Sequence, residues 1–342
     1  GESPMGYKAI NLLLNGIVVV IGFLVVRHMT QSLPLAFLAT LIYASTLGRA
    51  EAVYWVYSDS HILSALFSLF AFWAYLHNRR WSALVLMVTG LLFQEGGVFF
   101  PLLLVAHEVS RNSTKSVWHR LAKTIPYGLV SLGYLIARHF IIGKTPSTTL
   151  DIWSLLKAIG YQCWEHARIF LFPDGPATAY LYQEGMFAPG GDASVFGALA
   201  FLFFASSAAL LWRFRKEDCF WYAWFFVWIV LSFNVGAYGE YLMADKTIYL
   251  ASLGLSVLLV KLLLSVRRLQ FAGLVLICGL FLFNSAQIYA RADSWRDTNI
   301  YLQQVLQFEP NFNLALLHGG HLAYNQGRYE AASQYYLKAL HL

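Results

Sequence analysis

Ten apolar runs divide this chain, and nearly all of its charged residues fall in the gaps between them. The runs cover 9–26, 33–47, 62–76, 81–93, 98–105, 125–142, 194–212, 220–237, 248–264 and 271–290. A helix needs about 20 apolar residues to cross roughly 30 Å of hydrocarbon. Only structures that satisfy their own backbone hydrogen bonds survive there. Composition agrees: 58% of residues are hydrophobic and 12% charged, against about a quarter charged in soluble domains. The expectation is an all-α polytopic membrane bundle of about ten spans. The fourth and fifth runs are short. A single span over 81–107 would mend that, but it would bury Glu95 and invert every later loop.

The loop charges decide between these topologies, because Lys and Arg gather on the cytoplasmic side. With ten spans, one side holds Arg27, Arg79, Arg80, Arg111, Lys115, Arg120, Lys123, Arg213, Arg215, Lys216, Lys261, Arg267 and Arg268. These are thirteen of the 24 basic residues, while only Glu108, Glu217 and Asp218 of the 18 acids join them. The alternation therefore favours two short helices meeting at Gln94 to Gly97, and it puts the C-terminal region in the ER lumen or the periplasm. Bacterial inner membrane and ER both fit. The same parity starts Gly1 on the non-cytoplasmic side, so an upstream span and its external loop are expected to precede it. The net charge of +6 follows from orientation, and no basic patch interleaved with aromatics points to a nucleic-acid partner.

Residues 1–292 thus form a membrane domain, and 293–342 a separate region. From Asn313 onward, Gly320, Ala332, Tyr336 and Ala339 hold the small and aromatic positions of a tetratricopeptide repeat, with Gly327 at the turn. Asp297 to Phe308 reads as the second helix of an earlier, degenerate unit. A single repeat cannot bury its own apolar face, so the array is expected to continue past Leu342 and to take a protein acceptor or partner. An ordinary helical hairpin with small residues at its crossing is the plainer reading.

Two loops on the non-cytoplasmic side concentrate polar groups. In the first, Glu51 and Asp59 flank Tyr54, Trp55 and Tyr57. Paired carboxylates near a bilayer suit a hard divalent cation, Mg²⁺ or Mn²⁺, that bridges a substrate phosphate. Equally, Glu51 pairs with Arg49 and the aromatics form an interfacial belt. In the second loop, Asp245 and Lys246 stand at the mouth of a span. Lys246 can hold a lipid phosphate as a point charge, or it snorkels toward water. Arg138 and His139 invite the same two readings.

Between these loops, Ile152, Leu155, Leu156, Ile159, Cys163, Phe170 and Leu171 recur at helical spacing, opposite Ser154, Lys157, Gln162, Glu165 and Arg168. That pattern predicts an amphipathic helix lying in the membrane interface. The Pro/Gly-rich stretch from Pro173 to Gly191 reads as loop. Cys163, Cys219 and Cys278 are too scattered for a disulfide framework.

Several stretches together resemble the transmembrane and tetratricopeptide repeat-containing glycosyltransferase family of the GT-C superfamily. They are Gly6-Tyr7-Lys8-Ala9-Ile10-Asn11-Leu12-Leu13-Leu14, Glu51-Ala52-Val53-Tyr54-Trp55, Gln94-Glu95 ahead of Pro101-Leu102-Leu103-Leu104, Asp245-Lys246 ahead of Tyr249-Leu250, and the repeat. The resemblance implies an inverting transferase that moves a sugar, typically mannose, from a polyprenyl-phosphate carrier to a protein. It implies a general base in the external loop upstream of Gly1, with Glu51 near the metal or acceptor. Lys246 would stand near the lipid phosphate, where the family usually has arginine, and Asp59, Asp245, Glu95 and Arg138 complete the expected site. The second function weighed is an inactive, transferase-like scaffold whose repeats dock partners.

Overall fold

The computed structural model describes residues 4–54, 59–111, 116–143, 151–173, 179–181, 186–187, 189, 191, 193–230, 241–292 and 297–341. Helix dominates: α1 (Pro4–Thr30), α2 (Leu33–Ala44), α3 (Gly48–Tyr54), α4 (Asp59–Leu76), α5 (Arg80–Phe93), α6 (Phe100–Ser110), α7 (Val117–Leu121) and α8 (Ile125–Ile142) come first. They are followed by α9 (Ile152–Leu171), β1 (Ala179–Leu181), α10 (Ser194–Phe214), α11 (Lys216–Ile229), β2 (Tyr241–Ala244), α12 (Ile248–Leu263) and α13 (Gln270–Ala292). Last come α14 (Thr298–Phe308), α15 (Asn313–Asn325) and α16 (Tyr329–Leu340).

Each of the ten apolar runs contains or overlaps a helix, yet among the described residues only six helical segments are long and apolar enough to cross a membrane alone. These are Gly6–Thr30, Asp59–Leu76, Val117–Ile142, Ser194–Phe214, Asp245–Leu263 and Arg267–Ala292. The pair α2 and α3, bent by 61°, supplies a seventh if counted as one span. Charge alternation had favoured a break in 81–107, and there α5 ends at Phe93, Gln94 caps it and a 3₁₀ turn over Glu95–Phe99 leads into α6.

The core lies where α1, α2, α4, α6, α11 and α12 meet. Its aromatic centre stacks Phe72 on Phe220 at 5.5 Å, with Trp224 edge-on to Phe72 at 5.7 Å. Trp224 cannot enter an apolar core without a partner for its N–H, and Nε1 donates to the Leu250 carbonyl at 2.8 Å.

Two sequence expectations need correction. The stretch from Pro173 to Gly191, read as loop, contains β1, which pairs antiparallel with β2 and shifts register between Tyr180 and Leu181. Period-two patterning cannot reveal a strand of three residues. Likewise α9 forms where its periodicity predicts, capped by Asp151, whose carboxylate accepts from the N–H groups of Trp153 and Ser154. Its polar face, however, turns into protein. Ser154, Gln162 and Glu165 are buried, as are Cys163 and Phe170 of the apolar face, while Ile152 is exposed. The reason is a close crossing with α10, where a Cβ on Gly160 would stand 2.2 Å from the Gly197 carbonyl. Only glycine permits that approach, and it fixes which face of α9 meets the bundle.

At the C-terminus α15 and α16 form a hairpin turned at Gly327, whose φ of 74° suits glycine. A Cβ on Gly320 would lie 2.5 Å from the Tyr336 ring. Ala332 and Ala339 are buried, and α14, capped by Asp297, packs on α15.

Candidate functional site

Five segments converge at one end of the bundle: the first turns of α1 and α12, the whole of α3, the start of α4 and the end of α13. Glu51 on α3 is 3% exposed. Its Oε2 accepts the backbone N–H of Lys246 at 2.8 Å, and its Oε1 lies 3.5 Å from Lys246 Nζ. One carboxylate therefore fixes both the main chain and the side chain of Lys246. The approach depends on Gly48, where a Cβ would stand 2.3 Å from the Asp245 carbonyl oxygen and 2.5 Å from Ile248 Cγ2. Upstream of Lys246, β2 holds its strand through β1, with Ala244 opposite Ala179.

Around this pair, the other acids are bound separately. Asp245, 1% exposed, takes Arg291 from the end of α13 at 2.8 Å. Asp59 accepts from the amide of Asn11 at 2.8 Å. Asn11, buried in α1, is joined one turn later by Asn15, which accepts from the Tyr249 hydroxyl at 2.7 Å. Residues four apart share a helix face, so α1 presents two amides to the site. Sequence reasoning passed over both, although Asn11 and Asn15 interrupt an otherwise apolar span and could have been flagged for that reason.

The expected pairing of Glu51 with Arg49 is wrong. Arg49 is buried, its guanidinium carbon 3.9 Å from the Tyr43 ring centroid and 4.5 Å from that of Tyr249. No acceptor among the described residues meets its nitrogens in hydrogen-bonding geometry, so the cation is stabilised by ring faces. Residues 49 and 51 leave a short helix in different directions, and Glu51 faces the segment that carries Lys246.

Glu51 and Asp59, the carboxylates expected to hold a divalent cation, each have another partner in this structure. Glu51 and Asp59 face different partners, and no three His, Cys, Asp or Glu side chains converge among the described residues. Trp55 and Tyr57 of the expected aromatic belt lie outside the described residues.

Glu95 and Arg138 find each other, with a 2.7 Å ion pair that joins the 3₁₀ turn to α8. Gln94 and Gly96, on either side of Glu95, line a cavity of about 50 Å³ together with His61, Trp228, Lys246 and Thr247. The buried Trp228 Nε1 has no acceptor among the described residues. From α9, His166 closes the far side: Nδ1 is 2.6 Å from the Gln162 carbonyl, and Nε2 is 2.6 Å from Thr247 Oγ1. Burial pulls the His166 pKa down to about 4, so the ring is neutral. Because Nδ1 must donate to a carbonyl, Nε2 accepts, and the Thr247 hydroxyl donates to it. The Thr247 hydroxyl shares its proton with the Ala244 carbonyl, to which it also donates at 2.6 Å, so one hydroxyl ties α9 to the end of β2.

A second space runs along α9. It is an almost wholly apolar groove of about 510 Å³, lined by Ile159, Cys163, Phe204, Trp212, Tyr222 and Phe226 among others. Cys163 and His166 are three residues apart, so the helix that lines the groove also touches the Lys246 segment.

Comparison with protein-family models, with curated proteins and with solved structures finds no match. What the chain shows without relatives is a helical protein with six candidate membrane-spanning helices among the described residues and a lysine held by a buried carboxylate at one end of its bundle.

Proposed function

We propose that this protein is a membrane glycosyltransferase that moves a sugar from a polyprenyl-phosphate carrier to a protein acceptor on the non-cytoplasmic face. The observation that carries this reading is Lys246, a cation held at the mouth of a span by a buried carboxylate that grips its backbone and its side chain together. A phosphate leaving group needs a fixed positive charge that costs no reorganisation as negative charge develops. The groove along α9 suits the polyprenyl tail, since it is apolar over its length. In the reaction the acceptor hydroxyl attacks the anomeric carbon from the face opposite the phosphate. The bond from that carbon to the phosphate oxygen breaks, the oxygen keeps both electrons, and the hydroxyl proton passes to a carboxylate base. In the family this chain resembles, that base is an acid of the first external loop. Glu51, tied to Lys246, acts here as a positioning residue.

The ten-span topology belongs to the same proposal and is supported by the break at Gln94. The placement of the tetratricopeptide-like hairpin draws support from Arg291, whose ion pair with Asp245 brings the end of α13 to the Lys246 end of the bundle. Tyr161 on α9 adds to this, since burial first, then Glu165, and also Glu309 from the α14–α15 turn raise its pKa. A protein held by the hairpin would thus meet the same end of the bundle.

One observation favours the scaffold reading. The space beside Lys246 among the described residues is about 50 Å³, room for a water molecule or two and not for a sugar. Transfer from a synthetic polyprenyl-phosphate mannose to peptide, with the full-length protein in detergent, separates the two. Turnover that falls at least roughly a hundredfold in Lys246→Ala and is partly restored in Lys246→Arg supports the transferase. Transfer indifferent to both substitutions removes Lys246 from the mechanism, and no transfer by the unaltered protein favours the scaffold.

A further inference from the structure

At the opposite end of the bundle from Lys246 lies a polar cavity that the proposed transfer does not use. It occupies about 550 Å³ between the ends of α1, α4, α6 and α12 and the starts of α5 and α11, and its charged lining is Arg80, Glu108, Arg111, Lys123, Glu217 and Lys261. Along α12 alone, thirteen residues separate Ile248 from Lys261, about 20 Å at 1.5 Å per residue. The two sites cannot share one small ligand.

The charges are unevenly committed. Asp218, just behind the wall, binds both Lys261 and Arg215, so Lys261 is already ion-paired. Arg120 is buried and donates to the carbonyls of Glu108 and Arg111, capping the open end of α6. That leaves Arg80, Arg111 and Lys123 without an ion pair among the described residues while they face the same space. Opposite them stand two buried groups with unused capacity. Glu108, 3% exposed, takes the Tyr75 hydroxyl on Oε1 at 2.6 Å and has no partner on Oε2 among the described residues. His107, 6% exposed, is wedged edge-on against Phe72 and Phe220, and its Nδ1 also has no partner among the described residues. Buried polar atoms left unsatisfied are rare and call for a ligand or water.

Three cations around a cavity that also presents a buried, half-used carboxylate match a ligand carrying both a phosphate and a hydrogen-bond donor. We propose that this cavity binds a phosphate ester whose substituent bears a hydroxyl or ammonium group, with the phosphate on Arg80, Arg111 and Lys123 and the donor on Glu108. A phospholipid headgroup and a soluble phosphate ester both offer that chemistry. Basic pockets between spans on the Lys/Arg-rich side of a membrane are suited to the former.

The test uses the whole chain in a neutral detergent and follows its melting midpoint as ligand is added, since a ligand that binds only the folded state raises it. Phosphatidylglycerol and phosphatidylethanolamine should stabilise the protein. Phosphatidylcholine, whose quaternary ammonium cannot donate, should stabilise it less. A shift from soluble glycerol phosphate alone would identify a free ester as the source, and a shift from the lipids alone would identify a headgroup. Arg111→Ala with Lys123→Ala should weaken the response by roughly tenfold or more in apparent affinity. Arg267→Ala, an exposed cation on the same side but outside the cavity, should not. Should the double variant fail to fold, Lys123→Met alone is read in its place. Equal stabilisation by all three lipids, no stabilisation by any ligand, or an unchanged response in the cavity variants overturns the proposal.

Discussion

The Glu51–Lys246 contact makes a quantitative demand on stability. Replacing Glu51 with Gln removes the charge but leaves an amide oxygen that can still accept the Lys246 backbone N–H, now at 2.8 Å. Replacing Lys246 with Met removes the cation and leaves a carboxylate that is 3% exposed without its counter-charge. Breaking a fully buried pair from one side destabilises by about 3–5 kcal/mol. Here the lysine side chain is 22% exposed and its Nζ is 3.5 Å from the carboxylate, so solvent screens part of the interaction. The coupling energy is then expected at about 1–3 kcal/mol. A double-mutant cycle isolates it: Glu51→Gln, Lys246→Met and the pair together, each melted in detergent and followed by tryptophan fluorescence. For a chain this long roughly 2 °C corresponds to 1 kcal/mol, so the double variant should melt about 2–6 °C higher than the sum of the single shifts allows. Single-variant effects that add to within about 0.5 kcal/mol would refute the reading that Glu51 holds Lys246 by charge.

Three further outcomes follow from the same geometry. Gly48→Ala drives a methyl group into the Asp245 carbonyl and should lower stability by about 1–3 kcal/mol, measured as a melting shift; an unaltered midpoint would mean that α3 and the Lys246 segment do not touch. Neutral, buried His166, with its pKa near 4, is depressed below the usual value of about 6.5, so the unfolded state binds the proton first and stability falls as pH drops from 6.5 toward 4. At pH 5 this amounts to about 2 kcal/mol, and the difference between the protein and His166→Gln across pH 7.5 to 5 should reveal it, whereas parallel pH profiles would exclude it. Gly160→Val should separate α9 from α10 and destabilise the protein at least as much as Gly48→Ala does; a midpoint within about 1 °C of the unaltered protein would show that the crossing is not close.

Much of this arrangement was legible in the sequence because apolar periodicity and charge alternation are local signals. The helix over Ile152–Leu171 and the hairpin at Gly327 follow from residues within a few positions of one another, and the break at Gln94 from the alternation of loop charges along the chain. The site was only half legible. Glu51, Lys246, Asp245 and Asp59 stand out as charges at the ends of apolar runs, and they do gather at one end of the bundle. Their pairing was misread, because partners 195 and 46 residues apart leave no spacing to detect. Arg49 seemed the natural mate for Glu51 only because it lies two residues away, and on a helix such neighbours do not face each other.

The buried amides sharpen that point. Asn11 and Asn15 were quoted or passed over as part of an apolar run, yet each ties α1 to a different segment of the site, to Asp59 and to Tyr249. A polar side chain inside a span has no water to satisfy it, so it must find a partner in the bundle. Mid-span amides therefore mark where distant segments converge more dependably than loop charges do, since loop charges can be satisfied by solvent. The same logic separates the two ends of this molecule. At the Lys246 end nearly every buried acid is matched by a cation or an amide within the chain, which describes a site built to hold one lysine in place. At the Glu108 end the buried acid and the neighbouring imidazole keep unused valences while three cations stand open. Arg49 and Trp228 also lack hydrogen-bond partners at the Lys246 end among the described residues, but Arg49 lies on ring faces and Trp228 borders a space of only about 50 Å³, whereas Glu108 and His107 border one of about 550 Å³.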